Sequence, residues 1–216
     1  MNPVPPHRAL LGVDVVGSAR KPRYRLNPMR AVVEDMLCRA LEDSGVPDSE
    51  VLTWAPTGGG ALLTLPGRWL GVLLDLGQRL DRLAAEHNRR HQLEVRLRIT
   101  VDLDPVGDET GPRRPGIPHT RLPNAELAKQ LLERCLRERA DGAVHTVLVV
   151  SDHAFRSAFG KDRPRLVQQG DFAPVSLQDK EHSGTVWVQV PGFDAHSITE
   201  LARQASPQQE PPQQQA

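Results

Sequence analysis

An eight-residue apolar run near the start of the chain, residues 9–16, constrains the fold most. Only Gly12 and Asp14 interrupt it, and a run of this kind is typical of a central strand buried on both faces of a sheet. We therefore expect a sheet covered by helices. Asp14 is the exception in this strand, because a carboxylate there either caps the strand end or belongs to a metal or nucleotide site.

The segments that follow switch between helical and strand periodicity. Asn27 and Pro28 are typical of a helix start, and apolar residues recur behind them at helical spacing. Residues 51–54 and 61–65 are strand-like, and the Gly-rich segment 55–60 between them predicts a hairpin. A strand, a helix and a hairpin thus open the chain.

A second helix and a half-buried strand come next. Leucines line one side of residues 69–91, and the other side is polar, as in an amphipathic helix. Residues 94–102 then alternate strictly between apolar and polar side chains. One face of this strand belongs to the core, and the other, with Arg96 and Arg98, faces solvent, a ligand or a second subunit.

The second half of the chain continues the alternation of strands and helices. The Pro-rich residues 105–123 predict a long surface loop, and Asn124 begins another helix. A strand, a short helix, two short strands and a last strand are then predicted at residues 144–150, 152–159, 165–169, 175–177 and 185–190. The predicted fold class is α/β (α+β), a ferredoxin-like β-α-β-β-α-β core with an additional C-terminal helix and strands.

Length and composition limit the domain organisation and the partners. The 216 residues suit one domain at 8–193, between a flexible start at 1–7 and a disordered Pro/Gln-rich tail at 194–216. The 27 basic and 27 acidic residues cancel, so we expect no nucleic-acid partner. Two cysteines and the lack of a long apolar run favour a cytoplasmic protein without a membrane segment.

The order of these segments, together with several short phrases, resembles the class III adenylate and guanylate cyclase catalytic domain, including a divergent bacterial branch of short stand-alone cyclase-like proteins. The resemblance spans roughly residues 8–191. The matching phrases are residues 11–18, 58–63, 97–104, 126–132, 149–152, 180–181 and 186–188. No phrase is a signature by itself, so the resemblance depends on their order and spacing.

The resemblance implies cyclisation of a nucleoside triphosphate with Mg²⁺ or Mn²⁺ held by two carboxylates. Asp14 matches the carboxylate of the first strand, whereas Gly59 stands where the hairpin carboxylate is expected. Asp102 and Asp104, at the end of the fourth strand, are expected close to Asp14 in a ferredoxin-like core. They are the candidates for a substitute carboxylate pair in which Asp14 and Asp102 or Asp104 hold the metal, although such aspartates more often cap a loop. The second metal ligand of the family is missing.

The helix after the fourth strand supplies, in this family, an Asn that orients the ribose and an Arg that stabilises the transition state. The register set by the leucines places Glu126 and Gln130 at these two positions. A register that uses Asn124 instead leaves Ala128 at the Arg position. In either register the positive charge of the family's Arg is missing from the expected catalytic residues.

Three further residues are implied in nucleotide binding. Gly17 and Ser18 form the turn after the metal-binding strand, and Lys180 lies in the region where cyclases read the purine. The ordinary interpretation of Lys180 is a surface lysine beside Glu181, and both interpretations stay open.

These departures favour a degenerate cyclase-like domain, a pseudoenzyme of intracellular signalling. It would dimerise through its sheet face, as a homodimer or with another cyclase-like chain, and bind a nucleoside triphosphate without turning it over or act as a regulatory module. Two alternatives stay open. One is an active cyclase that converts ATP or GTP at a rearranged metal site, and the other is a scaffold that binds no nucleotide.

The eight histidines show no spacing that is typical of metal ligands. His87 and His91 lie four residues apart, at the polar end of the second helix, where solvated or dipole-pairing histidines are common. The sequence alone therefore does not predict a zinc site.

Overall fold

The computed structural model describes residues 7–16, 23–105, 125–139, 144–160, 164–179 and 182–205. Its strands are β1 (His7–Val15), β2 (Thr53–Pro56), β3 (Gly60–Pro66), β4 (Leu97–Pro105), β5 (Thr146–Ser151), β6 (Ala173–Asp179) and β7 (His182–Gln189). Its helices are α1 (Arg23–Asp43), α2 (Leu70–Arg90), α3 (Ala125–Glu138), α4 (Asp152–Gly160) and α5 (Ala195–Ala205).

The strands form one mixed sheet in the order β2-β3-β1-β4-β5-β7-β6. β1 pairs antiparallel with both β3 and β4, and β4 pairs parallel with β5. The first four strands thus form the ferredoxin-like core, and the last three extend the sheet beyond β4. This confirms the predicted fold class, including the added C-terminal helix and strands.

One face of the sheet is covered along most of its width by α1, α2 and α4. Alternation places Ala9, Leu11, Val13 and Val15 of β1 on this face, and all four are at most 3% exposed. The amphipathic α2 contributes five buried leucines to the same core. The main core of the domain therefore lies on this side.

Helices of the described ranges cover the second face at one end only. There α3 and α5 pack on β5, β6 and β7, around buried residues such as Val149, Leu131 and Ile198. On β1, β3 and β4 the side chains of this face are partly exposed in the described part of the chain: Leu10, Asp14, Leu62, Thr64, Arg98 and Thr100. We call this surface the open face.

The observed α5 differs from the prediction of a disordered tail from residue 194 onward. Asp194 accepts hydrogen bonds from the backbone N–H and hydroxyl of Ser197, which caps the helix start. Ile198, Leu201 and Ala202 then recur at helical spacing and are buried against the sheet. The folded part of the chain therefore extends beyond 193, and residues 206–216 lie outside the described residues.

Two smaller differences concern element bounds. Helix α1 begins at Arg23, so Pro28 lies inside it rather than at its first turn. The short strand expected at 165–169 is an irregular segment, because the buried carboxylate of Asp75 accepts backbone N–H bonds from Arg165, Leu166 and Val167.

Across the described residues, none of the helices has the length and apolar character needed to cross a membrane.

Candidate functional site

Asp14 lies near the end of β1, on the open face, where three strands meet. Its pairing partner on β3 is Gly60, and its partner on β4 is Arg98. The Asp14 side chain is 30% exposed and the Arg98 side chain is 25% exposed. Solvent thus reaches both charged groups, although most of the surface of each side chain is covered by neighbouring residues.

Both carboxylate oxygens of Asp14 are occupied by protein donors. The Thr57 hydroxyl donates to Oδ1 at 2.7 Å, and the Arg98 guanidinium donates to Oδ2 at 3.0 Å. A charge-assisted bond of this kind is stronger than a neutral hydrogen bond. Asp14 is therefore neutralised by a cation that belongs to the protein.

The hairpin between β2 and β3 approaches β1 so closely that glycine is required. A Cβ atom at Gly60 would lie 1.9 Å from the carbonyl oxygen of Val13. The backbone N–H of Val15 donates to the Gly59 carbonyl at 3.1 Å. Position 59 therefore lies beside the end of β1, and it contributes a carbonyl group but no carboxylate.

The strand register separates Asp102 from Asp14. Asp102 pairs with Leu10, whereas Arg98 pairs with Asp14. Four residues of strand correspond to about 13 Å, so one metal ion does not reach both carboxylates. Asp102 accepts hydrogen bonds from the Ser151 hydroxyl at 2.6 Å and from its neighbouring backbone N–H at 2.8 Å, which is a structural role.

Asp104 lies still further along β4. It pairs with Arg8, near the opposite end of β1 from Asp14. The register therefore does not bring together the proposed substitute pair of Asp14 with Asp102 or Asp104.

The positions aligned with the family's Asn and Arg lie on α3. Glu126 is in the first turn of this helix, in a stretch whose side chains are outside the description. Gln130 is partly exposed, next to the buried stripe of Leu131 and Leu132. The alignment of Glu126 and Gln130 with the family's Asn and Arg therefore stays a prediction.

The three candidate nucleotide-binding residues, Gly17, Ser18 and Lys180, lie outside the described residues. Two residues that contact Asp14 are not predicted from the sequence. Alternation places Arg98 on the correct face but not next to Asp14, and Thr57 is predicted only as part of a turn. Neither contact has a signal in the sequence, because 84 and 43 residues separate these partners from Asp14.

The donor set at Asp14 does not fit a two-metal site. Mg²⁺ and Mn²⁺ favour several oxygen ligands, commonly carboxylates and water. Within the described residues no three His, Cys, Asp or Glu side chains are grouped so as to hold a metal ion. The site instead combines one carboxylate with one guanidinium.

Comparison with solved structures bears on the fold. An adenylate/guanylate cyclase/hydrolase from Silicibacter pomeroyi superposes with a TM-score of 0.50 at 16% sequence identity, covering 86% of this chain and 96% of that one. The chain has a nucleotidyl cyclase fold. At this identity the likeness concerns the fold alone.

Further cyclase structures are less similar to the chain. The guanylyl cyclase Cya2 gives a TM-score of 0.47 at 11% identity over 86% of this chain and 90% of that one. A Trypanosoma brucei adenylate cyclase gives 0.44 at 12% identity over 87% and 89%. Because both scores are below 0.5, the fold assignment rests on the Silicibacter pomeroyi structure. No protein-family model matches the sequence, and no curated protein matches it.

Proposed function

We propose that this chain is a degenerate class III cyclase-like domain, a pseudoenzyme that binds a nucleoside triphosphate without cyclising it and acts as a regulatory module in cytoplasmic signalling. The observation that carries the proposal is the ion pair between Asp14 and Arg98. It supports the loss of turnover because it occupies the one matched metal ligand with an internal cation.

The ion pair opposes metal binding in two ways. A divalent ion on Asp14 has to displace the Thr57 and Arg98 donors, and the displaced guanidinium then stays in the sheet surface without its counter-charge. The dication would also lie beside that positive charge and be repelled by it. Gly59 offers no second carboxylate to offset either cost.

The same pair leaves guanidinium N–H donors available for an anionic ligand, although the Asp14 carboxylate balances the positive charge. A guanidinium has five N–H donors, and one Nη2 bond to Asp14 does not use them all. Phosphate oxygens are good acceptors for the remaining donors. We therefore expect nucleotide binding that does not depend on added Mg²⁺.

A second copy of the chain is the proposed occupant of the open face. Leu10 and Leu62 lie there among Thr64 and Thr100, on the central strands of the sheet. A face-to-face contact with a second copy would bury the apolar area that these two partly exposed leucines leave accessible. We expect Leu62→Asp to shift the protein toward monomer in sedimentation velocity.

Leu52 provides the matched control for this dimer. It is 50% exposed, and because Thr53 pairs with Thr64 on the open face, alternation directs Leu52 to the other face. Leu52→Asp should leave the sedimentation coefficient unchanged. A wild-type protein that is monomeric at all concentrations would remove the dimer from the proposal.

Activity is tested by incubating the purified protein with ATP or GTP, in Mg²⁺, Mn²⁺ or EDTA, and by measuring cyclic product by mass spectrometry and melting temperature in parallel. We expect no cyclic product and a nucleotide-dependent rise in melting temperature that persists in EDTA. Product that disappears in Asp14→Ala would establish an active cyclase instead. Neither product nor a shift would favour a scaffold that binds no nucleotide.

A further inference from the structure

A second arginine lies on the open face beside the pair of Asp14 and Arg98. Arg96 precedes Arg98 by two residues, and its neighbours Val95 and Leu97 are both fully buried in the core on the opposite side of the sheet. Alternation therefore directs the Arg96 side chain to the open face, as it does that of Arg98. Two residues of strand correspond to about 7 Å, so the two arginines occupy neighbouring positions on one surface.

A backbone hydrogen bond places Arg96 at the end of β1, next to the candidate site. The carbonyl oxygen of Arg96 accepts from the backbone N–H of Val16 at 2.8 Å. The antiparallel contact of the two chain segments thus continues two residues beyond Asp14, which lies opposite Arg98. Arg96 therefore lies where β1 ends and the chain continues to residues 17–18, which the resemblance to cyclases implies in nucleotide binding.

The guanidinium of Arg96 has a donor that no acceptor of the described residues uses. Its Nε atom is buried, and within the described ranges it has no hydrogen-bond partner. Its Nη2 atom lies 2.8 Å from Oε2 of Glu94, whose side chain is 58% exposed. Buried donors in proteins are nearly always paired with protein, water or a ligand. The Nε–H group therefore remains open to an acceptor of a bound ligand.

The balance of charges shows what an anionic ligand gains from Arg96. Asp14 balances the charge of Arg98, so a polyphosphate at the open face needs a second cation. Glu94 balances Arg96 from an exposed position, and exposed ion pairs contribute little because water solvates both groups well. A phosphate oxygen can thus replace the Glu94 carboxylate at small cost, and a guanidinium binds phosphate through parallel N–H donors.

We propose that Arg96 is a second anion-binding residue of the open face, which contacts the polyphosphate chain of a nucleoside triphosphate beside Arg98. This inference rests on the proposed nucleotide binding and adds a second cation to it. Two guanidinium groups about 7 Å apart reach different phosphoryl groups of one chain, so the pair favours a triphosphate over a monophosphate. Glu94 is the internal anion that the bound phosphate replaces.

The test is isothermal titration calorimetry of the full chain with ATP, GTP and AMP in EDTA. We expect Arg96→Gln to weaken triphosphate binding about 10-fold or more, and AMP binding much less, because it removes a charge-assisted contact to phosphate. Glu94→Gln should strengthen triphosphate binding about 2-fold to 5-fold, because it removes the competing carboxylate. Arg89→Gln, at an exposed arginine of α2, is the matched control and should bind as the wild type does.

The possible results separate this inference from the proposed function. Triphosphate binding that is unchanged in Arg96→Gln, or reduced equally in Arg89→Gln, would overturn the role of Arg96 and leave nucleotide binding standing. A wild type that binds neither ATP nor GTP would overturn both. If melting without nucleotide shows that Arg96→Gln does not fold, Glu94→Gln decides, and unchanged or weaker triphosphate binding in that variant would contradict the proposal.

Discussion

The two halves of the sheet differ in how their second face is covered. On β5, β6 and β7 the second face is packed against α3 and α5, and buried aliphatic side chains fill the contact. On β1, β3 and β4 the described residues cover one face, and on the other face Asp14 accepts hydrogen bonds from Arg98 and from Thr57 of the β2–β3 hairpin. The covered half is stabilised by apolar burial, and the open half by hydrogen bonds to Asp14, the residue that the resemblance to cyclases suggests as a metal ligand.

Aliphatic truncation should show the largest difference between the halves. Leu148 of β5 is fully buried, and its side chain packs against α2 so closely that a Cβ at Gly77 would lie 2.9 Å from it. Leu148→Ala should lower the free energy of unfolding by about 2–5 kcal/mol. Urea denaturation measures this change.

Leu10→Ala on the open face is the matched variant. Because Leu10 is partly exposed in the described structure, its truncation should cost about 1 kcal/mol or less in a monomer. Equal losses for the two variants would mean that the open face is as well packed as the covered half, and the comparison would fail.

Removal of Arg98 should have an intermediate effect. Arg98→Ala leaves the Asp14 carboxylate with the Thr57 hydroxyl as its described partner. The pair is partly exposed, so we expect a loss of about 1–2 kcal/mol, between the values for surface and buried ion pairs.

The exposed pair of Arg203 and Glu200 on α5 gives the control for this prediction. Their side chains are 71% and 46% exposed, and Arg203→Ala should change the free energy of unfolding by no more than about 0.5 kcal/mol. Arg98→Ala with an equally small effect would show that the Asp14–Arg98 bond contributes nothing to the open half.

The smallest effect is expected for a carboxylate in the covered half. Burial raises the pKa of Asp81, and the Thr146 hydroxyl, which donates to Asp81 at 2.9 Å, only partly opposes the shift. The folded state thus holds a proton more tightly than the unfolded state. Asp81 therefore lowers stability as pH rises from the unfolded pKa through the raised folded pKa.

Asp81→Asn removes this penalty while keeping an oxygen that accepts from Thr146. We expect a gain of up to about 1 kcal/mol at neutral pH that shrinks as pH falls toward the unfolded pKa. Thermal melts across pH measure it, with Asp35→Asn, an exposed aspartate on α1, as control. A gain that grows toward acid pH would contradict the assigned direction of the shift.

Local patterns predicted the order of the elements well. The alternation in 94–102 specifies a strand and its faces, and the apolar run in 9–16 specifies a central strand. The expectation that this strand is buried on both faces was wrong, because Leu10 and Asp14 on its second face are partly exposed. The helix α5 was hidden by composition, because the Pro- and Gln-rich end of the chain outweighed the spacing of three apolar residues.

The candidate site was less accessible to the sequence than the fold. Asp14 stands out as a charge in an apolar strand, and the resemblance to cyclases gives it a role. Its partner Arg98 follows only from the register between β1 and β4, and a shift of one residue would have turned Arg98 to the other face. Local periodicity fixes the face of a side chain but not the residue opposite it.

The most direct test of the account is Mn²⁺ binding, measured by electron paramagnetic resonance, in the wild type and in the double variant Gly59→Asp, Arg98→Gln. Among the described glycines a positive φ occurs at Gly45 and Gly192, so an aspartate at position 59 does not meet this kind of backbone strain. We predict no Mn²⁺ bound through Asp14 in the wild type and a new site in the double variant that Asp14→Ala removes. Wild-type binding that Asp14→Ala abolishes would contradict the claim that Arg98 replaces the metal.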